Sequence, residues 1–517
     1  MYLAGKVLLT LYLYFISYFY TLSVPLSWTS PVRLVLIYLA VNFVCEKVQC
    51  IKVPVLEERK NKNYKFGAGV FAGTFLFMLL YYLAYYPGGL CSDTFNQWYQ
   101  VDKGFLLDWH PAIHTFLFLQ LPSLLYNSLA FANFMQIVWL GGAVAYLGMV
   151  MERWGIKKRW ICIALAVGLA NPASAVTLSF TWKDTALTIF LVALSGQLIE
   201  IVFSEGRWLS VWYHGLAFGL FAALAALMRH NAILLVAPML LLVAVIYWKK
   251  IKYYSVFAGM WVLLFMAGIK GPLYRVLAVQ NHPQVSAEML GVPMTILANV
   301  LVKSPESLDE EAREFLYRIG PQELWENTYQ EGNWNSAKWM GDDISNDVIE
   351  EEGASNVLRY TWHAIQKEPY DSYRAVVKLF DVVWKPLGTE VIWGYRVEVS
   401  SNIYGYESKG ILWMQRILDF FRDLSLNGSI WTTWGWHIGF FVLLLLIAGV
   451  SRLKEGLEKS LLWVPILCYD FGTAFVLCGH DFRFFSFNTL LVLPLLLVMA
   501  GSKNQPQDDL GEHSGTD

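Results

Sequence analysis

Apolar runs long enough to cross a bilayer follow one another through most of this chain, and no other property limits its fold so tightly. They fall at about 7–24, 34–50, 67–86, 128–150, 160–178, 185–203, 209–228, 232–248, 253–271, 436–450, 461–478 and 485–500. As helices, segments of about 20 apolar residues cross the hydrocarbon core and satisfy their own backbone hydrogen bonds there. A β-barrel would instead show short segments of alternating polarity. The expected fold is therefore an all-α polytopic membrane protein with about twelve transmembrane helices. Only 15% of the 517 residues are charged, against about 25% in soluble domains. A formal net charge of −2 gives no hint of nucleic acid, and the lipid bilayer is the expected partner. A second apolar run follows the first with no small-residue cleavage site between them, so the first is read as a span and not a signal peptide. The six cysteines show no metal-type spacing.

Lysines and arginines orient the spans, because basic loops stay cytoplasmic. Four connections are basic: Lys47, Lys52, Arg59, Lys60, Lys62 and Lys65; Arg153, Lys157, Lys158 and Arg159; Lys249, Lys250 and Lys252; Arg452, Lys454 and Lys459. All four fall on one side only if the apolar segment 112–127, AIHTFLFLQLPSLLYN, does not cross. It is short and carries Gln120 and Pro122, so it is expected to lie along the outer membrane surface. Both termini are then cytoplasmic. The expected division is 1–66, two spans and a cytoplasmic loop; 67–271, the core, with a first outer loop at 87–127; 272–435, an extracytoplasmic domain; 436–501, the last spans; and 502–517, a disordered cytoplasmic tail.

The outer domain is expected to be mostly helical. Ser307 precedes LDEEAREFLYRI, which Gly320-Pro321 ends, and a second helix should stop before Pro369. Trp325, Trp334, Trp339 and Trp362 are candidates to stack on sugar rings, with an interfacial belt as the favoured alternative. Asp342, Asp343 and Asp347 are candidates to bind calcium, with a solvated acidic loop as the favoured reading.

On this topology, charges of both signs recur in the outer connections. Asp93, Asp108 and His110 lie in the first, Lys183 and Asp184 in SFTWKD, Arg229 and His230 in RHN, and His480, Asp481 and Arg483 in GHDFRF. Carboxylates beside guanidinium groups at a membrane surface suit a substrate bearing a phosphate and a hydroxyl. Pro87-Gly88-Gly89 breaks the preceding span, and Asp93, Gln97 and Gln100 follow at i, i+4 and i+7, one polar stripe of a helix. His110 and His114 are four apart but lack the Glu of an H-E-x-x-H helix. A divalent ion (Mg, Mn or Ca) on Asp93, Asp184 and a histidine is a further expectation, since carboxylates and water suit a hard cation.

The pieces Pro87, Gly88, Ser92, Asp93, Thr94 and Gln97, then Asp108 to Pro111 with His114, then Trp182 to Asp184, then Arg229 to Asn231, together resemble the motifs of an uncharacterised family of bacterial polytopic membrane proteins. That family is similar to the GT-C glycosyltransferases, which include protein O-mannosyltransferases and the aminoarabinose transferase of lipid A. The resemblance runs in order across most of the chain, with the first two spans as an addition. It implies a GT-C-like core in a bacterial cell membrane and an active site facing outside. It also implies a sugar moved from a polyprenyl-phosphate donor to a cell-envelope acceptor, with inversion. Asp93 matches the catalytic acidic residue that opens the first outer loop, and 112–127 matches the surface helix that follows it. Asp184 matches a second acidic residue, a metal ligand in metal-dependent members, and Arg229 and Arg483 stand near the donor phosphate. The family pairs two acidic residues in that loop, whereas here Ser92 precedes Asp93. The expected substrate-binding set is Gln97, Asp108, His110, His114, Lys183, Arg229, His230, Asn231, His480 and Arg483. A transporter or flippase of lipid-linked saccharides is the rival reading, because Asp470 falls mid-span.

Overall fold

The computed structural model describes residues 1–23, 30–55, 59, 61–280, 288–338, 347–388, 395–428 and 430–503. Trp339, Asp342, Asp343 and the tail 504–517 lie outside the described residues. The fold is all-α. Its short parallel pairings join Val53–Val55 to Gly501–Lys503 and Leu106–Leu107 to Val279–Gln280.

Seven helices are long and apolar enough to cross a membrane among the described residues, or nine if two bent pairs each count as one span. Three other segments expected to cross do not qualify alone. Ser30–Cys50 carries Arg33, Glu46 and Lys47, Trp212–Met228 has 17 residues, and Val464–Ala474 has 11. A helix apolar on every side is either a membrane span or the centre of a large core. Lys183–Phe203 is both, with 94% of its apolar window buried, whereas Tyr253–Val276 has 11% buried and lies on the rim. The central position of Lys183–Phe203 carries Asp184 into the protein interior.

The bundle has two unlike ends. At the basic end the four lysine- and arginine-rich connections meet. Arg153 donates to both oxygens of the buried Glu200 at 2.8 and 2.7 Å, Lys62 lies 3.7 Å from the same carboxylate, and Arg59 reaches Glu152 at 2.5 Å. Arg452 donates to the carbonyls of Val48, Gln49 and Ile51, closing the end of helix Ser30–Cys50. Lys459 does the same for the last helix through the carbonyls of Met499 and Gly501 at 2.7 and 3.1 Å.

Residues 112–125 begin and finish at the other end. Asp108 Oδ1 accepts the Ala112 N–H at their start, and past their end the Ala130 carbonyl accepts from Tyr82, close to the top of span Tyr64–Ala84. The outer domain stands at this end too. Its core joins Leu297, Phe315, Leu316, Trp325, Trp334, Val357 and Ala364. Trp325 and Trp334 stack at 5.3 Å and are 1% and 0% exposed, so they are core and not a sugar platform; Trp362 is exposed. The first expected helix of the domain runs Glu310–Ile319, with Asp309 and not Ser307 at its N-cap. Asp309 ties it to helix Ala354–Lys367 through His363 at 2.6 Å and Lys367 at 2.7 Å. The turn after the first helix, Tyr2–Phe19, supports the domain: Tyr370 and Tyr373 donate to the carbonyls of Leu22 and Ser23.

From the domain an extended strap, residues 395–411, returns across the first outer loop. Leu90 donates to Glu398 O at 3.0 Å, Ser400 to Leu90 O at 2.8 Å, Lys409 to Tyr86 O at 2.8 Å and Ile411 to Leu83 O at 2.9 Å. Gly410 permits this approach, because a Cβ there would strike the Ala84 carbonyl.

Candidate functional site

Four stretches of chain deliver the charged groups to one place. Asp93 is in the first turn of helix Ser92–Lys103 and Asp184 in the first turn of Lys183–Phe203. Both carboxylates therefore sit where exposed N–H groups and the helix dipole favour negative charge. Arg229 occupies the extended break between Trp212–Met228 and the next helix. Arg483 lies in the 3-10 turn Phe482–Phe485, capped by Asp481, whose Oδ1 accepts the Arg483 N–H at 3.3 Å.

Arg483 is the hub. Its Nη1 donates to Asp93 Oδ2 at 3.2 Å, across 390 residues of chain, and its Nε donates to Asp481 Oδ2 at 2.7 Å. The same Nε lies 3.9 Å from Asp184 Oδ2. Arg229 Nη1 donates to Asp184 Oδ1, and its Nε to Asn231 Oδ1 at 3.1 Å. Aromatic faces hold both guanidinium groups. Arg229 sits 3.7 Å from the ring centre of Phe484, and Arg483 5.2 Å from Trp182 and 5.4 Å from Phe484. Trp182 stacks on Phe180 at 4.0 Å and donates its indole N–H to Cys91 Sγ at 2.8 Å. Lys183 Nζ adds a third cation, 3.4 Å from His110 Nδ1. Three carboxylates thus face three cations.

Burial pulls the Asp93 carboxyl up, but Arg483, His110 and Lys183 outweigh it and hold it well below the carboxylate range. Its side chain keeps 31% of its exposure. Burial, reinforced by the Lys183 charge, pushes His110 down to about 4, and burial pushes His114 down to about 3. Both imidazoles are therefore neutral at pH 7.

The remaining expected residues divide. The polar stripe of helix Ser92–Lys103 faces inward: the Gln97 amide reaches His114 Nδ1 at 2.9 Å and Thr115 Oγ1 at 2.8 Å, and Gln100 Oε1 accepts the Leu107 N–H at 2.9 Å. Gln97 positions His114, whose Nε2 is buried without a hydrogen-bond partner. Asp108 caps 112–125, accepts from Tyr274 at 3.1 Å and faces Lys270 at 3.7 Å. Asn231 bridges Arg229 to Thr473, 2.7 Å away, and His230 is exposed beside them. His480 turns away from the cluster. Its Nε2 meets the Lys378 carbonyl at 2.5 Å and Asp381 at 3.3 Å, joining the outer domain to the bundle.

Two contributors were not singled out for the site. Asp481 lies in the GHDFRF connection and anchors Arg483. Tyr395, on the strap, donates to Asp481 Oδ1 at 2.9 Å and packs on Trp182 and Phe482 at 5.4 and 5.2 Å. No periodic pattern in the strap announces it. No group of three His, Cys, Asp or Glu side chains gathers around a common point among the described residues. Asp93 and Asp184, the expected metal ligands, share Arg483 instead, so this donor set as arranged does not fit a divalent ion.

No protein-family model, curated protein or solved structure matches the chain.

Proposed function

We propose that the protein is a GT-C-type membrane glycosyltransferase with twelve crossings, both termini in the cytoplasm and its site on the outer face of a bacterial cell membrane. It moves a sugar from a polyprenyl-phosphate donor to a cell-envelope acceptor. The observation that carries this reading is the Asp93–Arg483 pair, in which a part-exposed carboxylate holds a part-buried guanidinium within a three-cation cluster.

Polyprenyl phosphate is a good leaving group, so the site must chiefly stabilise the departing phosphate. Arg483, Arg229 and Lys183 supply the charge. A fixed donor where negative charge develops contributes about 3–4 kcal/mol. A phosphate that engages Arg483 competes with Asp93 for it. Release from the ion pair raises the basicity of Asp93, which then accepts the proton of the acceptor hydroxyl as that oxygen attacks the anomeric carbon. The bond from that carbon to the phosphate oxygen breaks and polyprenyl phosphate departs, inverting the centre. Asp184 keeps Arg229 in place through the transfer.

Proteoliposomes supplied with a labelled polyprenyl-phosphate sugar and envelope acceptors test this. Wild type should move label onto an acceptor, and Asp93→Asn should not. Near-normal transfer by Asp93→Asn rules out the base. A second reading, a flippase of lipid-linked saccharides, rests on Asp470, fully buried mid-helix and paired with Asn488 at 3.0 Å. In the same liposomes, label that crosses the bilayer unchanged favours it.

A further inference from the structure

Helix Leu412–Leu426, LWMQRILDFFRDLSL, is oriented the wrong way round for water. Trp413, Ile417, Phe420, Phe421 and Leu424, at i, i+4, i+7, i+8 and i+11, form one stripe. They are 62%, 48%, 62%, 58% and 41% exposed, so the stripe faces outward. Asp419 and Ser425 point into the protein, beside Met414, Leu418 and Leu426, which pack on the core. Asp419 accepts from Tyr85 at 2.9 Å and from Arg396, and Ser425 accepts from the Trp436 indole at 2.8 Å.

Its depth is fixed by the same contacts. The helix starts where Ile411 bonds Leu83, passes Tyr85 and ends at Trp436. It therefore lies across the site-end tips of two spans. At about 1.5 Å per residue its 15 residues reach roughly 22 Å, short of a crossing. At its start it meets span Tyr64–Ala84, whose Leu76, Leu80 and Leu83 are exposed, and exposed Ile430 and Trp431 follow it in the chain. Arg416 and Asp423 border the stripe and are exposed.

We infer that helix Leu412–Leu426 is an interfacial anchor whose Trp413–Leu424 stripe is seated among the acyl chains of the leaflet on the site side. Attachment to a span whose exposed residues are apolar selects the bilayer as the occupant. The consequence reaches the site. The anchor is the far end of the strap that carries Tyr395 onto Asp481, so the leaflet holds one end of the segment lying over the charged cluster. The inference rests on the membrane fold and not on the proposed reaction.

The test uses the full chain in phosphatidylethanolamine–phosphatidylglycerol liposomes, with exposed Cys50 and Cys162 replaced by Ser. A nitroxide is placed at Phe421→Cys, Leu424→Cys or Asp423→Cys. Collision rates with oxygen, which partitions into lipid, and with a water-soluble nickel chelate are compared. The oxygen-to-nickel ratio should be several-fold higher at 421 and 424 than at 423. Equal ratios would place the face in water. Protection of 421 and 424 from both probes would mean that protein covers it, as in a dimer of this chain. Either result overturns the inference.

Discussion

The two ends of the bundle use the same residue types for different work. At the basic end, arginine and lysine also meet carboxylates, Arg153 on Glu200, Arg59 on Glu152, Arg452 and Lys459 on Glu455, but two of them are in addition committed to helix-end backbone. Arg452 takes three carbonyls at one helix end and Lys459 two at another. At the site end the Arg229 and Arg483 side chains bond to Asp93, Asp184, Asp481 and Asn231, and rest on aromatic rings. A cation committed to helix-end carbonyls is structural. A cation held by a part-exposed carboxylate can be handed to an incoming anion. The two ends show that charge density at a membrane surface does not mark a site; the partners of the charge do.

Removing the hub should therefore have the largest effect. Arg483→Ala leaves three carboxylates without their common partner, and breaking a pair of this kind costs about 3–5 kcal/mol. Thermal unfolding in detergent should show that loss, together with loss of sugar transfer. Arg452→Ala should cost less, about 1–3 kcal/mol for the freed carbonyls, with transfer retained in the folded fraction. If Arg452→Ala abolishes transfer in folded protein, the contrast between the ends collapses. Asp93→Asn keeps the shape and removes the base, so transfer should fall roughly 10²–10⁴-fold while unfolding temperature changes little.

A pH titration sharpens the contrast further. His110 and His114 have folded pKa values of about 4 and about 3, below the ordinary 6.5. The unfolded chain therefore binds their protons first, and stability should be intact above about pH 6.5 and decline as pH falls toward 4 and then 3. His110→Asn should flatten the upper part of that decline. The smallest effect belongs to Lys459→Ala, about 1 kcal/mol on the last helix, with transfer unchanged.

Much of this was legible in the sequence because it depends on local composition. The clustering of Lys and Arg assigned four loops to one end, where their side chains meet. Recurrence of both signs in short outer connections brought Asp93, Asp184, Arg229 and Arg483 together. Partner choice was less legible, since it is settled by contacts between distant segments. Gln97 and Asp108 carry the same polarity as substrate ligands but brace the loop, and Trp325 and Trp334 fill a core that only the folded domain defines. His480 falls three residues before Arg483, yet the turn between them sends it to Lys378 and Asp381. Helix Leu412–Leu426 stayed hidden because its 15 residues are too short and too charged to stand out as a span.

Competition between Asp93 and a phosphate for Arg483 is the central claim, and equilibrium binding of farnesyl phosphate, a short polyprenyl phosphate, tests it most directly. Affinity should rise in Asp93→Asn, where the competing carboxylate is gone, and fall in Arg483→Gln. Unchanged or weaker binding by Asp93→Asn, with full binding by Arg483→Gln, would contradict it.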